Sequence, residues 1–168
     1  MNKGAVLIIS GPSGCGKSTL TKALMESIPD IYFSISTTTR AKRDGEVDGV
    51  HYHFVSKEQF LADIKHNVFL EWAEVHTNFY GTSLKPVQEA LSRDKIVLLD
   101  VDVQGHQSIK AHFGDFAKSI FITTKNKQIL KNRLIERKTD DMQMIEYRLE
   151  KAYNEMRHLQ HFDYVLIN

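Results

Sequence analysis

Residues 11–18 read Gly-Pro-Ser-Gly-Cys-Gly-Lys-Ser: glycine, four residues, glycine, lysine and a hydroxyl, the Walker A pattern. The pattern directly follows the apolar run Ala5-Val-Leu-Ile-Ile9 and directly precedes a stretch in which Leu20, Ala23, Leu24 and Ile28 share one helical face. A loop between a buried strand and a helix confines the chain to α/β folds, whose ligands gather at the carboxyl ends of the strands. Glycines let successive N–H groups turn inward around a phosphate, and the helix N-terminus adds its positive end. In that cradle, formed by Gly11, Ser13, Gly14, Cys15, Gly16, Lys17, Ser18 and Thr19, Lys17 reaches the β- and γ-phosphates and Ser18 is placed to ligate Mg²⁺. Taken alone the loop implies a nucleotide phosphate cradle and no particular reaction. Cys15 lies near the helix start, where a thiolate would be stabilised, but a small residue at a free position is the favoured reading.

The rest of the chain supplies the sheet. Ile96–Asp100, Ser119–Thr123 and Tyr164–Ile167 are short apolar runs that predict buried strands. Met142, Ile145, Leu149, Ala152, Met156 and Leu159 repeat every three or four residues and predict a long helix. Strands separated by helices imply a parallel sheet covered on both sides. Asp100, at the end of its strand, is a Walker-B-like carboxylate for Mg²⁺ or its waters. The predicted fold is α/β, a P-loop NTPase-type parallel sheet flanked by helices. Residues 34–81 interrupt the rhythm: strand-like patches at 52–55 and 69–75 flank a helix started by the capping box Ser56-Lys-Glu-Gln59. They are expected to form an inserted lobe on a single domain.

A chain of 168 residues with a net charge of +1 has room for one core and no long-range field to gather nucleic acid or an anionic membrane. The five-residue apolar run near the start is too short for a signal-peptide core or a membrane span, so a cytoplasmic location is expected. One cysteine excludes an internal disulfide, and His158 and His161, three apart, read as a solvated pair near a helix end. The acceptor must then be sought in the inserted lobe. Arg40-Ala-Lys-Arg43 carries guanidinium groups that fit phosphate oxygens bidentately, and the same lobe holds Tyr52, Tyr80, Glu71, Ser36 and, at its edge, Thr82.

At this level of detail the sequence resembles the guanylate kinases. The resemblance runs through Gly11–Thr19, Ser36-Thr-Thr-Thr-Arg40, Arg43-Asp-Gly-Glu-Val-Asp-Gly-Val-His-Tyr52, Phe69-Leu-Glu-Trp-Ala73, Asn78-Phe-Tyr-Gly-Thr82, Leu99-Asp-Val-Asp-Val-Gln-Gly105, Arg133-Leu-Ile-Glu-Arg137 and Arg148-Leu149. It implies ATP as donor, GMP (with dGMP) as acceptor, a GMP phosphate clamp at Arg40, Arg43, Tyr52 and Tyr80, and a guanine pocket at Ser36, Glu71, Thr82 and Asp102. Guanine's N–H donors suit the carboxylates and its O6 suits the hydroxyls. Adenine would leave Glu71 unpaired, a mismatch that can discriminate by factors on the order of 10⁴. The resemblance also implies a lid at 125–138, whose arginines Arg133 and Arg137, with Arg148, close over the phosphates and exclude water; by itself this basic segment reads as a solvated helix. The core then comprises 1–33, 82–124 and 139–168. Two other readings share the motifs: a non-catalytic scaffold domain of the same family, and a monophosphate kinase of other base specificity. Two departures stand out: Lys138 occupies a position where the family usually has glycine, and the family continues into a further C-terminal helix beyond Asn168, whose absence would expose apolar surface. Oligomeric state leaves no mark in the sequence.

Overall fold

β1 (Ala5–Ser10) is apolar on both faces, which forces it into the middle of a layered structure. Val6 and Ile8 pack on one side with Val87, Ala90 and Ile109, from helices α3 (Leu84–Ser92) and α4 (Val103–Phe113). Ile9 packs on the other side with Leu130, Leu134, Ile145, Leu149 and Ala152, from α5 (Lys127–Glu136) and α6 (Met142–Met156), where Leu20 and Leu24 of α1 (Lys17–Ser27) join them. Ile8 and Ile9 are both fully buried, each burial contributing about 1.5–3 kcal/mol before entropy is counted. The computed structural model describes residues 4–75, 77–136 and 141–168.

The central sheet has five strands in the order β2-β7-β1-β8-β9, with β2 (Ile31–Phe33), β7 (Ile96–Asp100), β8 (Ala117–Thr123) and β9 (Tyr164–Ile167), all paired in parallel. β1 is flanked by β7 and β8, so the chain crosses to both sides of it and opens a crevice at its carboxyl end. β8 starts two residues before the apolar run predicted at 119–123, because Ala117 and Ser119 face inward while Lys118 points to solvent. The start of β8 is locked to the approach to β9: Asp163 Oδ2 accepts from the Ser119 amide and hydroxyl, both at 2.8 Å, and from Lys110 Nζ at 3.1 Å. β9 is an edge strand with all four side chains exposed, up to 65% at Ile167.

A second sheet carries the inserted segment, with β4 (His53–Phe54), β3 (Thr37–Thr38), β6 (Asn78–Ser83) and β5 (Phe69–Val75) side by side; β3 pairs with β4 in parallel and β6 runs antiparallel to both β3 and β5. Residues 33–39 divide between the two sheets: the Ser34 amide donates to Leu98 O at 3.0 Å as the last bond to the central sheet, and the chain then departs for the second. Helix α2 (Lys57–Lys65) begins as its capping residues predict, with Ser56 Oγ accepting from the Gln59 amide at 3.1 Å. Its Phe60 is fully buried and stacks on Phe69 and Phe79 at 4.4 and 5.5 Å between ring centroids, giving this sheet a core of its own. Among the described residues no helix is long and apolar enough to cross a membrane.

Candidate active site

The loop 11–18 leaves β1 and enters α1 at Gly16, which precedes the helix with φ 102° and no side-chain cap. Gly11 has φ 144°, and a Cβ there would lie 2.1 Å from Ile122 O of β8, so the residue must be glycine both for its backbone angle and for the close approach of the neighbouring strand. A Gly11→Ala substitution is therefore expected to destabilise the protein by more than about 2 kcal/mol, read as a lowered urea midpoint. Lys17 Nζ donates to the carbonyl oxygens of Gly11 and, at 3.5 Å, Pro12, so its ammonium curls over the loop. Ser18 and Thr19 are exposed at the first turn of the helix. Cys15 is fully buried against Leu149 and Ala152, and burial raises its thiol pKa. Desolvation outweighs the nearby lysine and helix start here, which leaves Cys15 as the small apolar residue of the loop.

Two arginines reach the loop from the α5–α6 side. Arg133 Nη1 donates to Cys15 O at 3.3 Å, and Arg148 Nη1 donates to Ser13 Oγ at 2.9 Å. Asn168 Nδ2 donates to the same Cys15 carbonyl at 2.9 Å. A cleft beside the loop is lined by Gly14, Gly16, Thr19, Arg133, Glu136 and Asn168. Arg137 and Lys138 lie outside the described residues.

Asp100 ends β7 in register with Ile9, which sets its carboxylate beside the start of the loop. Burial raises its pKa and the Lys17 ammonium opposes that shift. A half-buried carboxylate whose cationic neighbour only opposes the effect of burial is a hard-oxygen donor short of positive charge, and it fits Mg²⁺. Among the described residues no cluster of three His, Cys, Asp or Glu side chains could hold a metal ion by itself. His158 and His161 have ring centroids 6.0 Å apart.

In the second sheet, Glu71 and Thr82 face one another across β5 and β6, and Thr82 Oγ1 donates to Glu71 Oε1 at 2.6 Å. Glu71 is 9% exposed; burial pushes its pKa up to about 7, Thr82 opposes this, and the nearby Asp102 adds to it. Asp102 caps α4, its Oδ1 accepting from the Gln104 and Gly105 amides at 3.0 and 2.9 Å. A Cβ on Gly105 would stand 2.9 Å from Glu71 Oε2, so α4 presses its first turn against that carboxylate. Ser36 lies just before β3, and its carbonyl accepts from the His53 amide.

Arg40 sits nearby with a bidentate pair to Glu46, at 3.0 Å from Nη1 and 2.7 Å from Nη2, and its guanidinium lies 5.4 Å from the Tyr52 ring centroid. Tyr52 and Tyr80 meet edge to face at 6.1 Å. Burial raises the Tyr52 phenol pKa, and the Asp100 carboxylate raises it further. Arg43 is exposed, with its amide donating to Glu46 Oε2 at 2.8 Å. Glu46 was not among the residues singled out from sequence; between Asp44 and Asp48 it is one of three carboxylates just past the basic run, and nothing in the sequence sets it apart from the other two.

A guanylate kinase family model matches residues 3–168. The chain belongs to the guanylate kinase family. It is 77% identical over 168 residues to the guanylate kinase of Helicobacter hepaticus, covering 100% of this chain and 84% of that protein. It is 53% identical over 167 residues to the guanylate kinase of Wolinella succinogenes, covering 99% of this chain and 78% of that one. The crystal structure of guanylate kinase from Anaplasma phagocytophilum superimposes with a TM-score of 0.80 at 31% identity, over 100% of this chain and 78% of the other. The crystal structure of a gluconokinase from Sinorhizobium meliloti superimposes with a TM-score of 0.51 at 11% identity, over 99% of this chain and 82% of the other, a likeness of fold alone.

Proposed function

We infer that this protein is a guanylate kinase that reversibly transfers the γ-phosphoryl group of MgATP to the phosphate of GMP, giving ADP and GDP. The two-nucleotide reading is supported by the place of Asp100, which ends β7 in register with Ile9 just before the Walker loop; there the Lys17 ammonium opposes the effect of its burial, and its own charge helps raise the Tyr52 phenol pKa in the inserted segment. In this reading the donor cradle and the acceptor clamp have that carboxylate as a common neighbour.

In this reading Lys17 follows the β- and γ-phosphates, and Arg133, Arg137 and Arg148 neutralise charge around them. Ser18 and Asp100 would hold Mg²⁺, which when bound with ATP offsets negative charge on the β- and γ-oxygens. Arg40, Arg43, Tyr52 and Tyr80 hold the GMP phosphate, while Glu71, Thr82, Ser36 and Asp102 read guanine. An oxygen of the GMP phosphate forms the new bond to the γ-phosphorus as the bond to the ADP oxygen breaks. That oxygen is already ionised, so no general base is required, and catalysis consists of alignment and charge neutralisation.

The deciding assay is ADP formation from ATP with GMP, dGMP, AMP, UMP or no acceptor. Turnover with GMP well above that with AMP and UMP is expected, and equal turnover across the panel would sink the guanine assignment. Arg43→Ala is expected to raise KM for GMP by about tenfold or more and to leave KM for ATP unchanged, since a lost charge-assisted hydrogen bond is worth about 1.5–3 kcal/mol. Wild-type kcat and KM for GMP in that variant would remove Arg43 from the clamp.

A further inference from the structure

The clamp reading names two arginines and two tyrosines and leaves out the side chain that organises them. Glu46 lies in the turn that follows the basic run. Its amide donates to Arg43 O at 3.1 Å, its Oε2 accepts from the Arg43 amide at 2.8 Å, and its two oxygens take the Nη1 and Nη2 groups of Arg40 at 3.0 and 2.7 Å. Gly45 precedes it with φ 82°, the left-handed conformation that lets the chain reverse and bring this carboxylate back over residues 40–43. The pair is largely shielded, with the Arg40 and Glu46 side chains 14% and 16% exposed.

The way Arg40 is held decides what remains available. A guanidinium has five N–H donors in a rigid plane and can present two forks. Glu46 occupies the end-on fork, Ala41 O takes a second bond from Nη1 at 2.7 Å, and the ring faces of Tyr52 and Phe54 lie 5.4 and 5.7 Å from the guanidinium carbon. Among the described residues nothing bonds Nε, so the side-on edge made by Nε and one hydrogen of Nη2 stays open. The backbone beneath is fixed as well: the Arg40 amide donates to Thr38 Oγ1 at 3.1 Å, and that hydroxyl donates to Phe79 O at 3.0 Å.

We propose that Glu46 is the positioning residue of the acceptor-phosphate clamp, holding Arg40 end-on so that its side-on edge meets the phosphate of GMP, and closing the turn that carries Arg43. The proposal rests on the clamp reading given above. The Arg40 pair and the Arg43 amide hold the Glu46 carboxyl at about 2, so this positioning stays in place throughout the pH range of an assay.

The test is steady-state kinetics of Glu46→Ala and Glu46→Gln, of Glu46→Asp as the charge-conserving variant, and of Arg40→Ala and the Arg40→Ala/Glu46→Ala pair. Loss of a supporting contact to a binding group costs about 10–100-fold where it has been measured. Glu46→Ala and Glu46→Gln are expected to raise KM for GMP by that factor, with kcat and KM for ATP within about threefold of wild type. Glu46→Asp should recover part of the loss. In the Arg40→Ala background the loss of Glu46 should add less than about threefold, because a residue that acts mainly through Arg40 has little left to position. An unchanged or lowered KM for GMP in Glu46→Ala would overturn the proposal, the lowered value meaning that the carboxylate competes with phosphate for the fork. Full multiplication of the two effects in the double variant would overturn it too. Wild-type KM in Arg40→Ala would sink the clamp reading itself, whereas wild-type KM in Glu46→Ala beside an impaired Arg40→Ala would sink the role of Glu46 alone.

Discussion

Lys17→Met is expected to lower kcat by about three orders of magnitude with the fold intact. The γ-phosphoryl group passes through a loose transition state whose charge spreads over its oxygens, and a fixed cation aimed at such charge is worth about 10²–10³-fold or more in rate. Methionine keeps much of the aliphatic stem and removes the ammonium. In the described structure that ammonium bonds the Gly11 and Pro12 carbonyls, both within the loop, so the change should touch catalysis far more than stability. Single-turnover ADP formation, with circular dichroism to establish folding, makes the comparison. A loss below about tenfold would mean that the loop binds a nucleotide without driving its chemistry.

Glu71→Gln is expected to cut kcat/KM for GMP by about 10²–10⁴-fold, since two hydrogen bonds to a charged acceptor are each worth about 1.5–3 kcal/mol and every 1.4 kcal/mol is a factor of ten. The same residue predicts a pH dependence with a definite sign. Burial pushes the Glu71 carboxyl up to about 7 in the folded protein without nucleotide, while guanine's N–H donors require the ionised form. KM for GMP should therefore fall as pH rises, by about tenfold between pH 6 and pH 8, and level off above. The second ionisation of a phosphate, near about 6, contributes in the same direction, and Glu71→Gln separates the two because it abolishes only the part set by the carboxyl. Stability runs the other way. The folded state keeps a proton on Glu71 that the unfolded chain releases above its ordinary pKa of 4.5, so this group's stabilisation is full below about 4.5 and is lost as pH rises through about 7. A KM profile identical in wild type and Glu71→Gln would show that Glu71 does not read the base.

The elements that pack apolar residues in strong periodic patterns were legible before any coordinates. β1 and β7 fall on the apolar runs 5–10 and 96–100, and α6 covers most of the repeat that begins at Met142; the run 164–167 is a strand as expected but not a buried one, because β9 lies at the sheet edge with all four side chains exposed. β4 falls inside the strand-like patch read at 52–55, but its length of two residues and that of β3 were not legible, because they are set by pairing: β3 joins β4 on one side and β6 on the other. The pocket residues divide along the same line. Glu71 is placed by its strand register against Thr82, whereas the use of Asp102 Oδ1 as a helix cap depends on where α4 begins. Glu46 escaped notice because a carboxylate in a charged turn reads as solvated, and only the fold of residues 40–46 brings it back onto Arg40. Cys15 shows the opposite error to avoid: proximity to a lysine and a helix start suggests a reactive thiolate, and complete burial reverses that suggestion.

The position of Ile122 against Gly11 also has a meaning in time. The loop's first residue is shaped by a carbonyl that lies 111 positions further along the chain, and one edge of β1 waits for β7 and the other for β8. At about 5–20 residues per second of synthesis, roughly 5 to 20 seconds separate the emergence of the glycine from that of the strand that shapes its surroundings. During that interval the nascent chain carries the whole Walker sequence without the neighbouring strand against which its loop is set. ATP is accordingly expected to stabilise ribosome-bound chains only once residues through β8 have cleared the exit tunnel, a threshold that limited proteolysis of stalled chains of graded length would reveal as a step.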